Sequence, residues 1–378
     1  MKASIDKTLL NKRVIITCGT GGVGKTTLSA ALGIRSALQG RRTVVVTIDP
    51  AKRLATSLGL SGLGDHPTDL TPQVKAAFEK AKLNGAHLPE TLTGTLAAIV
   101  PDTRKTFESF VRELAPNPAA AERVMRNPIF QIFAKEFSGT NEYMALERLH
   151  ALHVQDQYDC IILDTPPTRN TLAFLEAPRL LAQFFDEKLI RWLVLPANKF
   201  VATGMKKAFS ILEGLTGASF MAHLFDFASG LFSVQMNFTA NLKRITELME
   251  SPQVGFLMVT TPTPTHEEEV DHFIQTLKAQ GLHFEGIIFN RTLAYLKDEL
   301  RPDLASPPSP AWQEAYHLIH TLQERERRVI ENFMQKPIPV CAKLPELARD
   351  VHSVEDLFHV ALAFDSNSDP GFGGTTRN

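Results

Sequence analysis

The chain has little cysteine and no C-x-x-C pair: Cys18, Cys160 and Cys341 are the only three in 378 residues. Spacing therefore offers neither a zinc clasp nor an iron-sulfur cluster. Each cysteine sits in or at the end of an apolar strand-like run and reads as a small buried hydrophobe. The odd count and wide spacing suit a reducing compartment. No apolar run approaches the roughly 18 to 20 residues that span a bilayer, and Met1 to Lys12 lacks the apolar core of a signal peptide. A bias of charge is missing too, with 40 basic against 41 acidic residues. Nothing global pulls the chain toward nucleic acid or an anionic membrane. These absences lead to the expectation of a cytoplasmic protein with no stable membrane insertion and no nucleic-acid partner. The length allows about two to three domains, or one large α/β unit with an insertion.

What is present is concentrated in one stretch, Cys18-Gly-Thr-Gly-Gly-Val-Gly-Lys-Thr-Thr27. Gly19, Thr20, Gly21, Gly22, Val23, Gly24, Lys25 and Thr26 satisfy G-x-x-x-x-G-K-[ST], and Thr27 follows. The loop lies between a predicted strand, Arg13 to Cys18, and a predicted helix, Lys25 to Leu38, which is the context the P-loop requires. The glycines let backbone N-H groups approach phosphate oxygens, and the helix start adds the positive end of its dipole. Lys25 is placed to reach the β- and γ-phosphates, and the Thr26 hydroxyl to hold Mg²⁺. A dinucleotide site is disfavoured, because Gly24-Lys25-Thr26 stands where such a site needs its third glycine.

The β-branched run Thr43 to Ile48 reads as a second core strand that delivers Asp49-Pro50 to its carboxyl end, where open α/β sheets bind ligands. Asp49 also reads as a turn aspartate before Pro50. Tyr158 to Asp164 is a further apolar run ending in a carboxylate, followed by Thr165, Pro166, Pro167, Thr168 and Arg169. A strand-terminal Asp beside a P-loop is the Walker B arrangement and binds Mg²⁺ directly or through water; the following loop would sense the γ-phosphate. Further strands are expected at Val254 to Thr260, Phe284 to Asn290 and Ile338 to Ala342. Asn290 would read an adenine edge or serve a turn. Thr265-His-Glu-Glu268 has the form of a capping box, and Ser353-Val-Glu-Asp356 caps a final helix.

Two stretches lack strand signals. From about Asp69 to His153, helical periodicities run over Val74 to Leu83, Leu92 to Leu114, Ala119 to Phe137 and Asn141 to His153. A second block, Arg179 to Glu250, is rich in large apolar residues such as Trp192, Phe209, Phe227, Phe238 and Met221. It reads either as an apolar groove for a client segment or as interhelical core. His317 and His320 share one face of a charged helix and read as solvent or packing histidines. The organisation expected is a P-loop core over 12–68, 154–178 and 251–364. A helical subdomain would be built from two insertions, 69–153 and 179–250, with a disordered tail at 365–378.

In this order, the motifs resemble those of the ArsA-type ATPase family, which includes arsenical pump-driving ATPases and the ATPase that targets tail-anchored membrane proteins. The resemblance rests on the P-loop, on Asp49-Pro50-Ala51 against a switch D-P-A, and on Asp164-Thr-Pro-Pro-Thr-Arg-Asn-Thr171 against D-T-A-P-T-G-H-T. It implies an α/β P-loop NTPase with a mostly parallel sheet flanked by helices, using ATP and Mg²⁺. Asp49 would position or activate the attacking water, Thr26 and Asp164 would serve Mg²⁺, and Asn290 and Pro345 would lie beside the base. A nucleotide-dependent dimer would drive a client protein or a membrane transporter.

Three departures stand out. Thr20 occupies the slot of the family's signature lysine, Arg169-Asn170 replaces Gly-His, and the zinc-clasp cysteine pair of some members is missing. The absent charge would come from Arg169, Lys52 or Arg53, or from the lysine of a paralogous partner in a heterodimer. Clustered thiolates for arsenite are lacking. A nucleotide-binding regulator with little turnover and a positioning ATPase of the ParA and MinD kind are the alternative readings.

Overall fold

The computed structural model describes residues 4–47, 66–101, 103–131, 140–165, 175–178, 218–293, 309–347 and 350–364. Outside them lie Asp49, Pro50, Lys52 and Arg53, the segment Pro166, Pro167, Thr168 and Arg169, most of the second apolar block, and the tail 365–378. The chain divides into two compact units. The first comprises Met1–Val100, Leu152–Thr171 and Glu250–Asn378, and the second Pro101–Ala151 and Leu172–Met249.

The first unit is built on an eight-stranded sheet. Its strands are β1 (Val14–Gly19), β2 (Arg42–Thr47), β3 (Thr68–Asp69), β4 (Thr95–Ile99), β5 (Cys160–Asp164), β6 (Val254–Thr260), β7 (Phe284–Thr292) and β8 (Val340–Pro345). They run in the order β3-β4-β2-β5-β1-β6-β7-β8. All pairings are parallel except β3 with β4. Every residue of β1, β5 and β6 is buried, as expected of strands covered on both faces, and their sequences are accordingly continuous apolar runs rather than alternating ones. Burying Val14, Ile15, Ile16, Ile161, Ile162 and Leu163 contributes about 1.5 to 3 kcal/mol per side chain before the entropy of ordering is subtracted.

The helices of this unit are α1 (Ile5–Asn11), α2 (Lys25–Leu38) and α3 (Thr71–Leu83), followed later in the chain by α8 (Glu267–Ala279), α9 (Pro310–Gln335) and α10 (Val354–Leu362). Helix α10 packs on both α2 and α3, with Phe358 edge-on to Phe78 at a centroid distance of 6.5 Å. Its start carries the expected cap: Ser353 Oγ accepts from the Asp356 amide at 3.1 Å and donates to Asp356 Oδ2 at 2.7 Å, satisfying an otherwise unpaired helix donor.

Several sequence readings are corrected or sharpened. The helix expected over Leu92 to Leu114 is instead strand β4 followed by α4 (Thr103–Leu114). Thr95-Leu-Ala-Ala-Ile99 has good helix formers, but pairing with β2 buries its last four residues in the sheet. The stretch 69–100 therefore lies in the sheet unit rather than among the helices. Over Ala119 to Phe137 the described residues form α5 (Pro118–Arg126), break at Asn127, which is extended as the residue before Pro128 prefers, and are helical again over 128–131; 132–137 lie outside the described residues. Thr265 does not form a capping box: Pro264–His266 is a 3-10 turn, and α8 starts at Glu267 without a side-chain cap. Its three leading glutamates instead complement the helix dipole. Residues before Lys12, left out of the expected core, form α1, which buries Ile5 and Leu9. The Asp6 carboxylate of α1 takes a two-pronged bond from Arg35 of α2 at 2.7 and 2.8 Å.

The second unit, in its described residues, is helical. It contains α4, α5, most of α6 (Thr140–Gln155) and most of α7 (Ala218–Glu250). Phe110, Tyr143 and Phe238 form an aromatic triangle with centroids 5.4 to 5.6 Å apart. Gly230 lets α7 approach α5, since a Cβ there would lie 2.6 Å from Val124 Cγ2. Phe227 and Phe238 are buried, so these two members of the apolar block belong to the core. A polar cluster is buried beside them: Tyr143 donates to Glu147 at 3.3 Å, and Asn241 donates to both. Desolvation raises the Glu147 carboxyl above its usual range.

Candidate functional site

The phosphate loop lies at the carboxyl end of β1, between β5 and β6. The chain turns into α2 through Gly22 and Gly24, at φ 78° and 89°. Side chains rarely adopt that region. At Gly24 the restriction is double, because a Cβ would also sit 2.5 Å from Asn290 Nδ2. Lys25, the first residue of α2, is buried, and its ammonium folds back to donate to the Gly19 and Thr20 carbonyls at 2.9 and 2.8 Å. Such carbonyl contacts hold the charge in place, and a phosphate oxygen can compete for it.

Asp164 ends β5 and is almost fully buried. Parallel pairing aligns it with Thr17 of β1 and Thr47 of β2, and α2 covers it. Its Oδ2 accepts from Thr26 Oγ1 at 2.7 Å and from Thr47 Oγ1 at 2.9 Å; its Oδ1 accepts from Ser29 Oγ at 3.4 Å. Ser29 in turn lies 2.7 Å from Thr17 Oγ1, and Thr165 Oγ1 donates to the Thr17 carbonyl at 2.7 Å. Three hydroxyls thus solvate a buried carboxylate.

Thr17, Ser29 and Thr47 were missed in the sequence. Their available signal was position: Thr47 ends a buried strand two residues before Asp49, and Ser29 lies one turn after Lys25 on the same helix face.

Thr20 is only 4% exposed, and its Oγ1 is buried without a hydrogen-bond partner among the described residues. A neutral buried hydroxyl supplies no positive charge. Burial pushes the neighbouring Cys18 thiol up to about 12, so it stays a protonated, inert side chain. Among the described residues no group of three or more His, Cys, Asp or Glu could hold a metal. The donor set that remains, the Thr26 hydroxyl and the Asp164 carboxylate 2.7 Å apart, suits Mg²⁺, which takes one or two hard protein oxygens and completes its shell with water and phosphate oxygens.

Asn290 stands on β7 and donates from Nδ2 to the Val23 carbonyl at 2.8 Å, tying this strand to the loop. It lines a cleft of about 100 Å³ together with Gly24, Thr27, Arg291, Pro345 and Val360. Asn290 and Pro345, which the resemblance set side by side, line one cavity next to the start of α2.

The family described as anion-transporting ATPase matches residues 12–362. The putative arsenical pump-driving ATPase 2 of Aquifex aeolicus is 24% identical over 283 residues, 74% of this chain and 80% of that protein. The ATPase ASNA1 homolog 1 of Paramecium tetraurelia is 24% identical over 353 residues, 89% of this chain and 96% of that protein. With the match running over nearly the whole sheet and its phosphate loop, the chain belongs to the ArsA family of anion-transporting ATPases.

Proposed function

We propose that the protein binds Mg²⁺-ATP and hydrolyses it, coupling the cycle of a dimer to a client protein or membrane transporter. The observation that carries this reading is the meeting of Lys25, Thr26 and Asp164 at the carboxyl ends of adjacent parallel strands, with Thr26 on Asp164 at 2.7 Å. The amides of Gly21 to Lys25 would bind the phosphates, and Lys25 would leave the Gly19 and Thr20 carbonyls for the γ-phosphate. Thr26 and Asp164 would hold Mg²⁺, which would neutralise charge on the phosphates. Asp49 would orient the attacking water. The oxygen of that water bonds to the γ-phosphorus as the bond to the ADP oxygen breaks, and its proton ends on the released phosphate. Asn290 and Pro345 would hold the base. Asp49-Pro50 and Asp164 to Arg169 would act as switches that report loss of the γ-phosphate.

Thr20 favours a second reading, a nucleotide-binding subunit with little turnover that works beside a lysine-bearing paralog. A cation supplied in trans changes phosphoryl-transfer rates by roughly 10³ to 10⁵, and a buried threonine does not replace it. The in-chain sources, Arg169, Lys52 and Arg53, lie outside the described residues. Phosphate release and mass measurement with and without Mg²⁺-ATP separate the readings. Turnover by a pure homodimer supports the first. Tight ATP binding with turnover only after a paralog is added supports the second, and no binding of ATP sinks both.

Among the described residues no helix is long and apolar enough to cross a membrane.

A further inference from the structure

The cleft beside the phosphate loop contains a residue that the motif reading did not use. Arg291 follows Asn290 on β7 and has φ 57°. The other described non-glycine residue at positive φ is Asp156, a short polar side chain that tolerates the left-handed region. Arginine has no such tolerance, and strained positions of this kind gather at ligand sites.

The geometry shows what the strain achieves. Successive residues of a strand point to opposite faces, yet Asn290 and Arg291 both line the cleft. The β7–β8 register is irregular between Phe289 and Thr292, so the left-handed residue acts as a bulge that re-aims a side chain. Arg291 Nε then stands 3.8 Å from Glu346 Oε2, with both side chains about half exposed. That carboxylate restrains the guanidinium at the mouth of the cleft while leaving it accessible.

We infer that Arg291 is a base-binding residue: its planar guanidinium, steadied by Glu346, covers the purine of the nucleotide that enters this cleft between Asn290 and Pro345. The inference rests on the nucleotide reading above and adds a recognition element for the base. Guanidinium planes stack on aromatic rings, and the weakly hydrated cation gains from the ring's electron-rich face. A lysine at this position would keep the charge and lose the plane.

The test uses the full chain, with Arg291→Gly and Arg291→Lys variants, ATP and inorganic tripolyphosphate as ligands in calorimetry, and urea unfolding. Glycine accepts positive φ at no steric cost, so Arg291→Gly should unfold at a midpoint no lower than the parent while binding ATP roughly tenfold more weakly. Arg291→Lys should lose similar affinity for ATP, and both variants should bind tripolyphosphate as the parent does. Arg291→Asn, which also tolerates this region, replaces the glycine variant if that one fails to fold, with the same expected result. Unchanged ATP affinity overturns the inference, as does an equal loss for tripolyphosphate, which would assign the arginine to the phosphates. A parent protein that binds neither ligand defeats the nucleotide reading itself, and this inference falls with it.

Discussion

The two ends of the parallel sheet use similar residues to opposite effect. At the amino end, cations are bound within the fold. The Arg41 guanidinium donates to the carbonyls of Leu9, Lys12 and Asp159, Arg42 pairs with Asp159, Arg13 with Asp156, and Lys12 with Glu285. At the carboxyl end, Lys25 rests on two loop carbonyls, Asp164 is solvated by hydroxyls, and Thr20 keeps a buried hydroxyl unpaired. The difference teaches where a ligand is expected. An end whose cations are held by carboxylates and carbonyls keeps the fold together, even with Arg13 Nε lacking a partner among the described residues, and an end whose lysine and carboxylate rest on exchangeable partners is built to trade them for something else.

The largest expected effect is at the carboxyl end. Lys25→Ala should reduce ATP turnover by roughly 10²- to 10³-fold, the usual consequence of removing a donor aimed at developing charge. Phosphate release measures it, and unaltered turnover would erase the contrast between the two ends. Asp164→Asn keeps an acceptor for the surrounding hydroxyls but loses the charge. The Mg²⁺ concentration at half-maximal activity should rise roughly 10- to 100-fold, with urea unfolding little changed.

At the amino end the prediction reverses. Arg41→Ala should lower stability by about 2 kcal/mol, because three carbonyls lose a charged donor, and leave ATP affinity at the parental value. Urea unfolding paired with ATP titration checks both halves.

The smallest effect is a pH dependence. Hydrogen bonds from Arg42, the side chain first, hold the Asp159 carboxyl down to about 2. A folded value below the unfolded one of about 3.9 means that the pair's contribution is fully present above that pH and is lost as pH falls through about 2. Both partners are close to half exposed, so solvent screening keeps the contribution small. Arg42→Ala should flatten this part of an acid unfolding curve.

Where one local rule was enough, the sequence was readable. The phosphate loop, the strands β1, β2, β5, β6 and β7, and the Ser353 cap follow from continuous apolar runs, glycine turns and capping chemistry, each complete within about ten residues. Reading failed where neighbours decided. Thr95 to Ile99 has helix-forming alanines and becomes a strand because β2 offers it a partner. Ile5 to Asn11 shows no motif and is held by Arg35, 29 residues after Asp6. Thr17, Ser29 and Thr47 carry no signature of their own, and their purpose appears only when β1, β2 and α2 surround Asp164.

By itself the sequence determined a nucleotide-class phosphate loop, a parallel sheet behind it and a family resemblance, because loop and strand chemistry is local and its spacing survives in one dimension. Only the tertiary structure decided which hydroxyls solvate Asp164, that the hydroxyl of Thr20 is buried and unpaired, and that Arg291 turns into the cleft beside Asn290 and Pro345. Those outcomes depend on packing and on strand register between segments far apart in the chain. No periodicity in the chain encodes which distant partners a buried group will find.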